Sequence, residues 1–108
     1  MAKKGIPDDV KKQVEKIVRR FNEEIIGDPD CFYVTRYKGS YLYLDMNNYG
    51  EIDPVCRLKY TGDMNNWDFA IYKYSSERYD SEEWFFPGAD LVDGTIEGAM
   101  KAGLEAYP

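Results

Sequence analysis

Histidine is absent from this chain. That removes the commonest general base and metal ligand, and the one side chain whose ordinary charge changes near neutrality. Cysteine is scarce: Cys31 and Cys56 lie far apart, without the short spacing of a metal-ligand pair. In a reducing compartment each is expected to be a small buried residue rather than half of a disulfide. No apolar run approaches the length of a membrane span, and Met1-Ala2-Lys3-Lys4-Gly5 lacks the apolar core of a signal peptide. The expected location is cytoplasmic, with no membrane partner. Glycines are scattered through turns and the last helical stretch instead of forming a phosphate-cradling loop. Ser40, Ser75, Ser76 and Ser81 have no nucleophile-elbow pattern around them. Nothing in the pattern calls for a cofactor.

What is present fits one small domain spanning residues 1–108. That length supports a single core without disulfides or a structural metal. Apolar residues make up 44% of the chain and aromatics 16%, with ten tyrosines supplying most of the rings. Tyrosine favours half-buried positions with a wet hydroxyl, as on sheet surfaces and contact patches. The formal net charge is -6, unevenly spread. Residues 1–26 hold seven Lys or Arg against five Asp or Glu, whereas residues 75–108 hold two against eight. An acidic total argues against broad binding to phosphate backbones, but leaves room for a local basic face.

Pro7 followed by Asp8 and Asp9 reads as a helix start, with the acids at the positive end of the helix dipole. Val10, Val14, Ile17, Val18, Phe21 and Ile25 recur at helical spacing and predict one apolar stripe. Gly27 and Pro29 are expected to end this helix. Cys31 to Lys38 and Tyr41 to Met46 alternate with period two around Gly39-Ser40, a dipeptide suited to a tight hairpin. The implied pairing sets Tyr37 against Leu42, Thr35 against Leu44 and Tyr33 against Met46 on the apolar face. Arg36 beside Tyr43 and Lys38 beside Tyr41 fall on the other. Val55 to Tyr60 and Trp67 to Tyr74 predict a second hairpin, with Cys56 opposite Ile71, Leu58 opposite Phe69 and Tyr60 opposite Trp67. Its outer face would pair Lys59 with Asp68, Arg57 with Ala70 and Val55 with Tyr72. A short fifth strand is expected near residues 82–86. A last helix starting at Asp93 or Gly94 would carry Ile96, Ala99, Met100, Gly103, Leu104 and Tyr107 inward, its glycines implying close approach to a neighbour.

Three arrangements have chemical content. Asp45, Asn47, Gly50, Ile52 and Asp53 follow part of the spacing of a calcium loop, but Tyr49 and Cys56 stand where ligands are needed. No metal site is expected there. Glu77, Asp80, Glu82 and Glu83 supply carboxylates without evident positioning, and a solvated acidic loop is the simpler reading. The third arrangement is the outer sheet face: Arg36, Lys38, Tyr41, Tyr43, Arg57, Lys59, Tyr72 and Tyr74. Cations beside tyrosine rings suit a protein contact, a homodimer or single-stranded nucleic acid, and equally suit ordinary cross-strand stabilisation.

The run from Asp93 to Leu104, together with Pro54-Val55-Cys56-Arg57-Leu58-Lys59-Tyr60, Trp67 and Tyr72, resembles small uncharacterised bacterial and archaeal proteins, a domain of unknown function. The resemblance implies a helix followed by an antiparallel sheet, and no reaction, ligand or catalytic residue. The expected architecture is α+β: an N-terminal helix, an antiparallel sheet of four to five strands built from two consecutive hairpins, and a C-terminal helix, both helices on one sheet face. The expected function is a non-catalytic binding or assembly module using Arg36, Tyr41, Tyr43, Arg57, Lys59, Tyr72 and Tyr74. Single-stranded nucleic-acid binding through that face is the alternative, and a small metal-dependent enzyme or hydrolase comes third.

Overall fold

The structure, a computed structural model, describes residues 5–82 and 86–107. Helix α1 runs over Asp8–Phe21, with Asp8 and Asp9 in its first turn, and buries Val10, Val14, Val18 and Phe21. It then widens into one π-helical turn, Asn22–Ile26, closed by Gly27 in the left-handed conformation. The wider turn changes which side chain faces inward. Ile25 is 56% exposed, and Ile26 packs on the core in the place the helical repeat had assigned to Ile25.

Five strands follow as an antiparallel meander in the order β1-β2-β3-β4-β5. They are β1 (Cys31–Lys38), β2 (Tyr41–Asn48), β3 (Glu51–Lys59), β4 (Asp68–Lys73) and β5 (Arg78–Asp80). The β1–β2 register matches the expected one, with Tyr33↔Met46, Thr35↔Leu44 and Tyr37↔Leu42 on the inner face. Gly39, at a φ of 60°, turns this hairpin. β2 and β3 join through Tyr49-Gly50, both at positive φ, so the chain doubles back with Asn48 opposite Glu51. Mirror-image turns of this kind match the right-handed twist of paired strands.

Two expectations about the strands need correction. The fifth strand is Arg78–Asp80, upstream of the expected segment, whose residues 83–85 lie outside the described residues. Val55 does not face outward opposite Tyr72. The register shifts between Leu44 and Asp45, with Cys56 opposite Leu44 and Pro54 opposite Asp45, so Val55 is the extra residue of a β-bulge. Val55 and Cys56 are both buried.

The helix α2 (Ile96–Ala106) is capped by Thr95, whose side chain accepts from the Gly98 N–H, one residue beyond the expected start. It packs with α1 on the inner face. Tyr33 ties all three layers: its ring meets Phe21 edge-on at 6.0 Å, and its hydroxyl donates to the Met100 carbonyl at 2.7 Å. Gly103 makes the approach possible. A Cβ there would lie 2.6 Å from Val55 Cγ1 and inside contact distance of the Tyr33 hydroxyl. Leu42, Leu44, Leu58 and Ile71 fill the space between the helices and the sheet.

At the first edge of the sheet one side chain occupies the backbone groups of Tyr33. Asn22 donates from Nδ2 to the Tyr33 carbonyl at 3.0 Å and accepts the Tyr33 N–H on Oδ1 at 2.8 Å. Its carboxamide therefore stands in for a neighbouring strand. Glu15 reinforces the contact by accepting from Thr35 Oγ1 and the Tyr37 hydroxyl, each at 2.6 Å. No helix among the described residues is long and apolar enough to cross a membrane.

Candidate functional site

Strand alternation and register assemble the outer face. Lys38, Tyr41, Lys59 and Asp68 form one cross-strand row, and Arg36, Tyr43, Arg57 and Ala70 form the next. Each of the first three strands thus contributes one member to a cation–ring–cation sequence. The rows are knitted together diagonally as well as directly. Arg36 lies over the Tyr43 ring with its guanidinium carbon 4.3 Å from the centroid, and Arg57 lies over Tyr41 at 4.5 Å.

Tyr79 on β5, which the sequence reading missed, completes this layer. It pairs with Tyr72 across β4 and β5, their rings 5.0 Å apart, and its ring also meets Tyr43 at 5.3 Å. Arg57 is 5.2 Å from the Tyr79 centroid, so its guanidinium is held between two tyrosines. The signal for Tyr79 was faint because its strand has three residues, too few to display a period-two pattern.

Tyr72 and Tyr74 are in contact at 4.8 Å, but Tyr74 serves a different end of the surface. The β3–β4 pairing stops at Cys56↔Ile71, and the bulge leads β3 away from its neighbour. Beyond that point two phenols take over the work of the ladder. Tyr74 donates to the Pro54 carbonyl at 2.8 Å, and Tyr107 from the end of α2 donates to the Tyr72 carbonyl. Burial, then the nearby Asp53 charge, pushes the Tyr74 phenol up to about 12. Burial also raises Tyr79, reinforced by the negative charge of Asp45 and opposed by Arg36. Both phenols therefore stay neutral near pH 7 and act as hydrogen-bonding groups rather than bases.

Asp45 is the buried polar residue of the molecule among those described, at 4% exposure. It lies on the outer side of β2 and receives Arg36 Nε at 3.2 Å on Oδ2. Its Oδ1 is buried and meets no donor among the described residues. The calcium-like spacing from Asp45 to Cys56 therefore falls on two strands of a hairpin, with its first carboxylate engaged by an arginine and the Asn47 Oδ1 accepting from the Gly50 N–H. The acidic segment is likewise divided. Asp80 accepts from the Glu82 N–H and lies 3.9 Å from Lys73 Nζ, Glu77 occupies a left-handed turn position, and Glu83 is outside the described residues. Among the described residues no three acidic or cysteine side chains converge as a metal site would require.

Ala70 leaves the outer face shallow where its neighbours are long. A groove of about 310 Å³ opens over it, bordered by Tyr41, Arg57, Lys59, Asp68 and Ser81. Of the sequence-predicted residues, Arg36, Tyr41, Tyr43 and Arg57 form one contiguous cluster, and Tyr79 connects Tyr72 to it. Lys59 borders the groove and Tyr74 sits at the far rim. Lys38 is exposed beside Tyr41. Compared with family models, curated proteins and solved structures, the chain matches none.

Proposed function

We propose that this protein is a non-catalytic binding and assembly module whose working surface is the outer face of the sheet, engaging a protein partner or a second copy of the chain. The observation that carries this reading is the strand register, which aligns Lys38, Tyr41 and Lys59 in one row and Arg36, Tyr43 and Arg57 in the next. Both helices pack on the opposite side, so the rings and cations keep access to solvent. Tyrosine and arginine are the residue types enriched at protein contacts, because they add large, rigid area at low entropic cost. The acidic final third supplies complementary charge within a second copy.

Ring packing favours this reading over single-stranded nucleic-acid binding. Base stacking needs free ring faces. Here guanidinium groups lie over Tyr41 and Tyr43, while Tyr43, Tyr72 and Tyr74 make edge-to-face contacts with one another or with Tyr79. Static light scattering tests the assembly form: the expected mass is near twice 12.6 kDa, returning to a single chain on Tyr41→Glu. A single-chain mass at every concentration would leave only a different protein as partner. Salt-sensitive binding of an oligonucleotide to this face would replace the proposal with its competitor.

A further inference from the structure

Resting on that reading, we infer that the groove at Arg57 is a carboxylate-binding site whose occupant is an Asp or Glu side chain of an acidic segment in a partner protein. The molecule contains a filled version of the same arrangement. Arg36 stacks on Tyr43 at 4.3 Å and turns its Nε edge to the Asp45 carboxylate at 3.2 Å. Arg57 repeats the stacking on Tyr41 at 4.5 Å, with Tyr79 on a second side at 5.2 Å. Among the described residues the ion pairs are Arg36–Asp45 and Lys73–Asp80, so none of the described carboxylates is paired with Arg57. A guanidinium carries five N–H donors in a rigid plane that matches a carboxylate bidentately. Rings on two sides have already restricted its rotamers, so little freedom is lost on binding.

The surroundings define what fits. Ala70, itself buried, is short enough to leave space beside Arg57 at the bottom of the groove. Lys59 adds a second positive charge to the lining, which Ser81 and Tyr41 also border. Asp68, opposite Lys59 in the register, places one negative charge on the rim. A single carboxylate can meet Arg57 and Lys59 and keep clear of Asp68, whereas a continuous run of phosphates would be brought against it. A chain of net charge -6 also repels a polyanion at long range.

The test is an amide chemical-shift titration with acetyl-Gly-Glu-Gly-amide and its Gln counterpart as probes. The Glu peptide should give saturable shifts at Lys59, Ala70 and Ser81, with binding weakened about tenfold in Arg57→Gln, the loss expected for a charge-assisted pair. Arg57→Lys keeps the charge but not the planar fork, and should recover little of the binding. Retained spectral dispersion in each variant certifies the fold. Equal shifts from the Glu and Gln peptides, or Glu binding indifferent to Arg57→Gln, would overturn the carboxylate site while leaving the outer face in use. Tighter binding of inorganic phosphate or an oligothymidylate at the same amides would overturn it in favour of a phosphate ligand. Light scattering reads assembly with no peptide present, so failure of the groove and failure of the assembly face are distinguishable.

Discussion

Arg36 holds together two features that would each be costly without it. Its side chain is half exposed, yet it supplies the hydrogen bond to the buried Asp45 carboxylate and the cation over Tyr43. Arg36→Ala would strand a charge at a site where water has little access, leaving Asp45 with both oxygens unmatched. The expected loss is about 1–2 kcal/mol, below that of a fully buried pair because the guanidinium is partly solvated. Asp45→Asn in the Arg36→Ala background should recover part of it, since the neutral amide is cheaper to bury. Urea unfolding midpoints measure both, and an Arg36→Ala protein as stable as the parent would refute the coupling. The alternation around Gly39-Ser40 correctly set Arg36 and Tyr43 side by side, since register follows directly from the apolar pattern. It did not reveal that Asp45 is buried, because that burial is created by neighbours from other strands. The same limit hid Tyr79, whose importance lies in contacts with Tyr43 on β2 and Arg57 on β3.

Helix α1 and strand β1 meet through a device that neither element displays alone. The π-helical turn carries Asn22 to the strand edge, where its carboxamide pairs with both backbone groups of Tyr33. Asn22→Ala should cost about 2 kcal/mol, as two part-buried backbone groups lose their partner. It should also raise turbidity on heating, because unpaired edge groups are templates for intermolecular pairing. Asn22→Asp keeps an acceptor for the Tyr33 N–H but faces the carbonyl with a carboxylate, so it should fall between the two. Unchanged urea stability and turbidity in Asn22→Ala would show that the edge is protected otherwise. Helices, hairpins and most inner-face pairs were legible in the sequence because each obeys a simple period. The π turn and the Val55 bulge were not, since each inserts one residue and breaks the period on which such reading depends. Pro54 followed by two consecutive inward-facing residues, Val55 and Cys56, is the trace the bulge leaves.

Taken whole, the molecule concentrates groups that must remain neutral. Burial pushes the Tyr33 phenol and the Cys56 thiol well above their ordinary values, and Asp45 adds to the effect at Cys56. The folded form therefore keeps protons that the unfolded chain releases. Their contribution to stability is complete below the ordinary values of 9.0 for the thiol and 10.0 for the phenol, and is lost as pH rises beyond them. Stability should fall by about 1.4 kcal/mol per pH unit for each such group in that range. Unfolding midpoints followed from neutral pH to about pH 11 should drop steeply, together with the appearance of tyrosinate absorbance. A flat profile would mean that Tyr33 and Cys56 ionise without opening the core.

The two borders of the sheet also govern how molecules can meet. On one side Asn22 occupies the hydrogen-bonding groups of Tyr33, and on the other β5 offers only three residues. Strand-to-strand extension is thereby hindered at Tyr33 and given little template along β5. Contact is steered toward broad surfaces, where side-chain chemistry rather than backbone pairing selects the neighbour.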